Sequence, residues 1–179
     1  MDAELSVELG AGDPTLAVPW RSPDGVNAYV DLRTHPELIE KLSEVRQFPE
    51  LAEFLRAVNR SRFTSAKCDA WFDQLMDVND EPYEAKMKCA SYVDLFFADA
   101  QKLADFATHE TTARNVIQNL RRLEELSARA EIIIRRAFFE EDEGLYWTIY
   151  VFGYGDSVES ARSSWRRAVG LAQSALLAA

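Results

Sequence analysis

The sequence predicts an α+β fold, in which a mainly antiparallel sheet built from β-hairpins carries its helices on one face as a two-layer sandwich. Two segments alternate apolar and polar residues with a period of two, which is typical of half-buried strands. Two more segments are rich in β-branched and aromatic residues, and amphipathic helical spacing follows each pair. The 179 residues suit a single α+β domain over 1–179.

The first sixty residues carry the weakest signals. Short apolar runs that predict strands lie at 5–9, 16–20 and 26–32, separated by turn-forming residues. Thr34 and Glu37 have the spacing of a capping box, which predicts that a helix begins there. A second short helix is predicted from Pro49 onwards.

The clearest strand signals lie in the middle of the chain, where 66–72 and 84–95 alternate apolar and polar residues. The segment 77–82 between them has the composition of a loop, so the two strands are predicted to form a hairpin. Two helices are predicted to follow. Asp99 can cap the first, which is expected to bury Leu103 and Phe106. The second has an apolar stripe that consists of Val116, Ile117, Leu120, Leu123 and Leu126.

The last third repeats this plan. The segments 131–139 and 145–154 predict a second hairpin, joined by the acidic turn 140–144, which ends in glycine. Asp156 and Glu159 have the spacing of a capping box that predicts the start of the final helix.

A short echo suggests an internal repeat. The tetrapeptide at 29–32 recurs at 92–95, and a related one stands at 150–153. A threefold ββα-type repeat would have the units 1–60, 61–128 and 129–179. Ordinary strand composition also accounts for the recurrence of so short a tetrapeptide, and the sequence leaves both interpretations open.

The charge balance excludes whole classes of partner. The chain carries 30 acidic against 20 basic residues, a formal net charge of −10, and it lacks the basic footprint that nucleic acids and anionic membranes require. We therefore expect no nucleic-acid partner and no membrane partner. No signal peptide or membrane-spanning run is visible and the cysteines number two, so a cytoplasmic protein is expected. The 15 arginines against 5 lysines suggest a GC-rich, bacterial coding genome.

No motif of a catalytic or metal centre stands out, and no cofactor is predicted. His35 and His109 are expected to be exposed residues at helix boundaries rather than general bases. Cys68 and Cys89 are predicted to face each other across the first hairpin as buried thiols, with a redox pair as the alternative.

The strongest surface candidate is the sheet face that points away from the helices. The second hairpin places several aromatic side chains on that face, which is too apolar to remain bare. With a four-residue loop, Arg135 would lie across from Tyr150. Such a face can bind a planar or anionic ligand, form a dimer interface, or lie beneath another segment. The candidate ligand or interface residues are Arg135, Tyr146, Tyr150, Tyr154, Tyr92 and Asp94.

Three functions fit these observations. The favoured one is a non-catalytic interaction module, which either forms a homodimer or binds a basic protein through its acidic surface. The second is a small-molecule binder that uses the aromatic face or a cavity between sheet and helices. The third is an enzyme in which Asp31 and Asp94, at equivalent positions of the echo, perform acid–base chemistry. That third function requires the two carboxylates to converge, and the alternative for Asp94 is a polar outer-face residue beside Lys67.

Overall fold

The computed structural model describes residues 1–76, 82–122 and 125–179. They form a six-stranded mixed sheet with helices packed on one face. The strands are β1 Asp2–Glu8, β2 Thr15–Val18, β3 Phe63–Gln74, β4 Met87–Phe97, β5 Ala128–Phe139 and β6 Asp142–Gly155. The α-helices are α1 Ser43–Gln47, α2 Glu50–Asn59, α3 Phe106–Arg121 and α4 Val158–Ala178. Short 3-10 segments lie at Pro36–Lys41, Pro82–Glu84 and Ala100–Lys102.

The strand order is β1–β5–β6–β4–β3, with β2 pairing to β5 further along that strand. The β3–β4 and β5–β6 hairpins and the β4–β6 contact are antiparallel, as predicted, so the α+β sandwich is confirmed. The sheet is mixed, however, because β1 and β2 both run parallel to β5. Within residues 1–76 the run at 26–32 forms no strand, and Ala28 instead pairs with Arg21 in an isolated bridge.

The β5–β6 hairpin is tighter than the sequence predicts. Phe139 pairs with Asp142, which leaves a two-residue turn whose first residue, Glu140, has a φ of 57°. Arg135 consequently lies opposite Tyr146, and the predicted pairing of Arg135 with Tyr150 is wrong. The strands extend through the acidic segment because its carboxylates point into solvent while the backbone gains ladder hydrogen bonds.

Neither of the two capping boxes forms between the residues predicted for it. The predicted capping box of Thr34 and Glu37 is wrong, because the Thr34 hydroxyl donates to Asp31 at 2.6 Å. The last helix does begin with a capping box, which is formed by Ser157 and Ser160 and so lies one residue later than predicted. No side chain caps the segment that begins at Pro36, whereas at α4 the short Ser157 side chain accepts from the Ser160 amide.

Helix α4 packs directly onto β6. Trp165 on α4 is fully buried, and its indole nitrogen donates to the Ser91 hydroxyl of β4 at 2.9 Å. Gly153 of β6 lies beneath the helix, where a Cβ atom would stand 2.1 Å from the Trp165 nitrogen. The glycine therefore allows a close approach between helix and sheet, and the core lies in this layer.

The repeat remains a prediction. Residues 92–95 lie on β4 and 150–153 on β6, whereas 29–32 lie outside the strands. Residues 77–81 of the loop predicted at 77–82, and the apolar position Leu123, lie outside the described residues, while Pro82 begins a short 3-10 segment.

Candidate functional site

The sheet face away from the helices is covered at two ends and partly open between them. Tyr146 is 4% exposed because it belongs to a buried cluster with Leu16 and Val18 of β2, against which Trp20 also packs. Tyr154 is 5% exposed and packs with Leu75 at the other end. Tyr150, which lies between them on β6, is only half-buried. The open part of the face is therefore its middle.

Four aromatic rings cross this open middle, and we call them the aromatic row: Trp71, Tyr92, Tyr150 and Phe152. Their ring centroids are separated by 6.4 Å from Trp71 to Tyr92, 5.8 Å from Tyr92 to Tyr150 and 5.9 Å from Tyr150 to Phe152. The row spans the adjacent strands β3, β4 and β6, and each of its side chains is partly exposed. The result is a continuous apolar strip on a face that otherwise carries charges.

The charges beside the aromatic row are balanced: two lysines and two aspartates lie on β3 and β4, and Arg129 and Glu131 of β5 are the strand partners of Phe152 and Tyr150. Lys88 lies 5.8 Å from the Phe152 ring centroid and forms an ion pair with Asp73 at 3.2 Å. Lys67 lies 5.9 Å from the Tyr92 ring centroid, and Asp69 is the strand partner of Tyr92. The strip is thus close to neutral, although the whole chain carries a charge of −10.

Arg135 is held within the sheet face. Its Nε donates to Glu8 at 2.7 Å and a terminal nitrogen donates to the Thr148 hydroxyl at 2.9 Å. The Arg135 side chain is 12% exposed. Because its charge is already balanced by Glu8, this arginine is poorly placed to attract an anion from solvent.

Asp94 ends the same chain of hydrogen bonds. The Thr148 hydroxyl, which accepts from Arg135, donates to an Asp94 carboxylate oxygen at 2.7 Å. Asp94 is 6% exposed, and this burial raises its pKa to about 6, while the Thr148 hydrogen bond, Lys67 and Arg135 limit the rise. Burial also raises the pKa of the neighbouring Tyr92. Asp94 is therefore a covered acid and not one that faces solvent.

Asp31 belongs to a separate network. Its carboxylate accepts from the backbone amides of Arg33 and Thr34 and from the Thr34 hydroxyl, which closes a local turn. Within the described part of the chain, Asp31 and Asp94 share no hydrogen-bond partner. The arrangement gives no support to a catalytic pair of these two carboxylates.

A cleft of about 510 Å³ opens between the loop 19–32 and the outer edge of β3. Trp20, Arg21, Lys67, Asp69 and Tyr92 are among the side chains that line it. Because Tyr92 belongs to both, the cleft is continuous with the aromatic row. Trp20 and Arg21 were not among the site residues predicted from the sequence. An aromatic residue beside an arginine, next to turn-forming residues, is the signal that could have found them.

The cysteines do not face each other. Cys68 pairs with Val93, and Cys89 pairs with Phe72, so the predicted cross-strand contact is wrong. The cause is the position of the loop, since β4 begins only at Met87 and shifts the register of the hairpin. Both thiols are free, and burial raises the pKa of each to about 12, which disfavours the reactive thiolate.

His109 is fully buried, so the prediction of an exposed histidine is wrong at this position. Helix α3 begins at Phe106, which turns His109 toward the sheet, where its ring packs edge-on against Phe97 at 4.7 Å and Trp147 at 6.1 Å. Burial lowers the pKa of His109 to about 4. The folded protein therefore holds a neutral imidazole.

This neutral imidazole predicts a loss of stability in acid. The unfolded chain takes up a proton near the ordinary pKa of 6.5, whereas the folded chain does so near 4, so the free energy of unfolding should fall by about 3 kcal/mol as pH drops through this window. In His109→Gln that part of the slope should vanish. Urea unfolding at pH 4 and pH 7 measures it, with exposed His35→Gln as the control. An unchanged slope in His109→Gln would contradict the assignment.

Comparisons of the chain with protein-family models, with curated proteins and with solved structures gave no match. Over residues 1–76, 82–122 and 125–179, no three His, Cys, Asp or Glu side chains are grouped so that they could hold a metal ion. None of the helices in the described segments has the length and apolar character needed to cross a membrane. The aromatic row and the adjoining cleft are therefore the features on which a function can be argued.

Proposed function

We propose that the protein is a non-catalytic interaction module that self-associates through the aromatic row. The observation that carries this proposal is the continuous strip of four partly exposed rings across three strands. Tyrosine and tryptophan are enriched in the centres of interfaces, and contiguous apolar strips on a protein surface commonly mark a partner. A second copy would complete the burial of these rings.

Charge favours a second copy over a basic protein partner. Two chains of charge −10 repel each other wherever their acidic surfaces meet. The aromatic row is flanked by two lysines and two aspartates on β3 and β4 and by Arg129 and Glu131 on β5, so its local charge is balanced. A twofold interface brings the same patch of both copies together, and a balanced patch can complement itself. A basic partner would instead be drawn to the acidic parts of the surface.

The burial of Asp94 favours a binding function over a catalytic one. Asp94, the one candidate acid on the open face with a raised pKa, is 6% exposed and hydrogen-bonded to Thr148. A general acid or base has to reach the proton of a bound substrate. Asp94 could do so only after the side chains that cover it had moved.

Replacement of Tyr150 by glutamate tests the interface. We expect the native protein to sediment as a dimer at micromolar concentration and Tyr150→Glu to raise the dimer dissociation constant by roughly 100-fold. The reason is that an interface that buries a charge without a partner loses about 2–5 kcal/mol. Analytical ultracentrifugation over a concentration series measures the change, and circular dichroism checks that the variant remains folded.

The matched control is Phe106→Glu. Phe106 is an aromatic residue at the start of α3 with 37% exposure, and it lies outside the aromatic row. The same change in charge should leave the dissociation constant of this variant unaltered. A native protein that remains monomeric over the whole concentration range would overturn the proposal, as would equal weakening by both variants.

A further inference from the structure

We infer that the cleft between the loop 19–32 and β3 binds a small planar molecule with an aromatic ring and a single negative charge, such as an aromatic carboxylate. Its volume of about 510 Å³ lies within the range of small-molecule sites, roughly 300–1,000 Å³. The site adjoins the proposed dimer contact and shares Lys67, Asp69 and Tyr92 with it, but Tyr150 does not line the cleft.

The position of Lys67 is the first argument. Its ammonium nitrogen lies 5.5 Å from the centroid of the Trp20 ring and 5.9 Å from that of Tyr92, so it is held between two aromatic side chains of the cleft. Lys67 is nevertheless exposed, and among the described residues no carboxylate lies within 4 Å of its ammonium nitrogen, although its charge also acts on its strand partner Asp94, which is buried. A carboxylate that enters beside these rings would meet a positioned ammonium group.

The charged side chains along the walls of the cleft limit the net charge that a ligand can carry. Arg21 also lines the cleft, is exposed, and has no ion-pair partner in the described segments. Asp69 and Glu44 lie on the same walls, and one Asp69 oxygen is occupied by the Ala70 amide at 2.7 Å. The two cations and two anions of the walls balance, and the buried Asp94 adds an acid beside Lys67, so a ligand with one negative charge meets less repulsion than a multiply charged phosphate.

Hydrogen bonds within the protein hold the loop wall of the cleft in place. The Trp20 indole nitrogen donates to the Ala66 carbonyl at 2.7 Å, which fastens the ring over the β3 edge. The Tyr29 amide donates to the Trp20 carbonyl at 2.8 Å, and the Ser22 amide donates to the Asn27 carbonyl at 2.8 Å. A ring held in this way can stack on a planar ligand with little loss of conformational entropy.

The test uses 2-naphthoate as the probe and 2-naphthamide as a neutral molecule of the same shape. Isothermal titration calorimetry on the native chain should give a saturable isotherm with 2-naphthoate that is roughly tenfold tighter than with 2-naphthamide. Lys67→Gln should remove this difference. Lys86→Gln, which changes an exposed lysine outside the cleft, should preserve it.

Three results of these titrations would contradict the proposed cleft site. Equal affinities for the acid and the amide, unchanged affinity in Lys67→Gln, or no saturable binding of 2-naphthoate would each overturn it. The same titration on Tyr150→Glu separates the two proposals, since Tyr150 does not line the cleft. Binding retained by that variant supports the cleft site, whatever the oligomeric state turns out to be.

Discussion

Replacing Gly153 with alanine should destabilise the protein by about 3 kcal/mol or more, the upper end of what overpacking costs. The added Cβ would stand 2.1 Å from the Trp165 nitrogen, 2.4 Å from its Cα and 2.6 Å from the Ala161 carbonyl oxygen. All three atoms belong to the backbone of α4, so no side chain can rotate away. The whole helix would have to lift from β6. Urea denaturation followed by tryptophan fluorescence measures the loss.

The control for this substitution is Gly170→Ala on the same helix. A Cβ at Gly170 would meet no atom within 4 Å, and alanine is the better helix former, so we expect a gain of up to about 1 kcal/mol. If the Gly153 and Gly170 variants were equally stable, the close contact between helix and sheet would be disproved.

Asparagine in place of Asp94 should have the opposite effect and should stabilise the protein in alkaline solution. The folded pKa of about 6 lies above the ordinary value of 3.8, so the folded chain keeps a proton that the unfolded chain has lost. The free energy of unfolding of the native protein therefore falls as pH rises from about 3.8 through 6, by about 3 kcal/mol in all. Asp94→Asn avoids this loss and keeps an amide oxygen that can accept from Thr148.

The free energy of unfolding of Asp94→Asn should accordingly exceed that of the native protein by a large amount at pH 8 and by almost nothing at pH 4. Thermal unfolding at the two pH values measures it. Asp69→Asn provides the control, because Asp69 is an exposed carboxylate that is removed by the same chemical change. A gain in Asp94→Asn that does not depend on pH would show that the buried carboxylate is not its source.

Local patterns predicted much of the sheet. Alternation with a period of two located β4 and the faces of β6, because successive side chains of a strand must point in opposite directions. Arg135 and Tyr150 were rightly assigned to one face for this reason, but their pairing was wrong. Pairing depends on the length of the turn, and the turn at Glu140 is two residues long because the strands extend through a segment whose charges suggested a loop.

The site was harder to predict, because its parts are distant in sequence. Trp20 reaches Ala66, which is 46 residues away, and no local pattern marks that contact. The covering of Tyr146 and Tyr154 likewise depends on loops whose course the sequence does not reveal. His109 was expected at a helix boundary, but the helix begins three residues earlier and turns its ring into the core. Contacts between distant segments follow from the packing of the whole chain.

The parallel pairing of β1 with β5 has a consequence for the order of events during synthesis on the ribosome. Asp2 pairs with Arg129, so β1 is made long before the strand that receives it. Until β5 has left the exit tunnel, β1 has no strand to pair with, and unpaired strand segments are prone to aggregate. The acidic residues Asp2, Glu4 and Glu8 give unpaired β1 a negative charge, which opposes aggregation. Two of them, Glu4 and Glu8, later meet Arg129 and Arg135 of β5, so the side chains that protect the nascent strand also help to guide it into register.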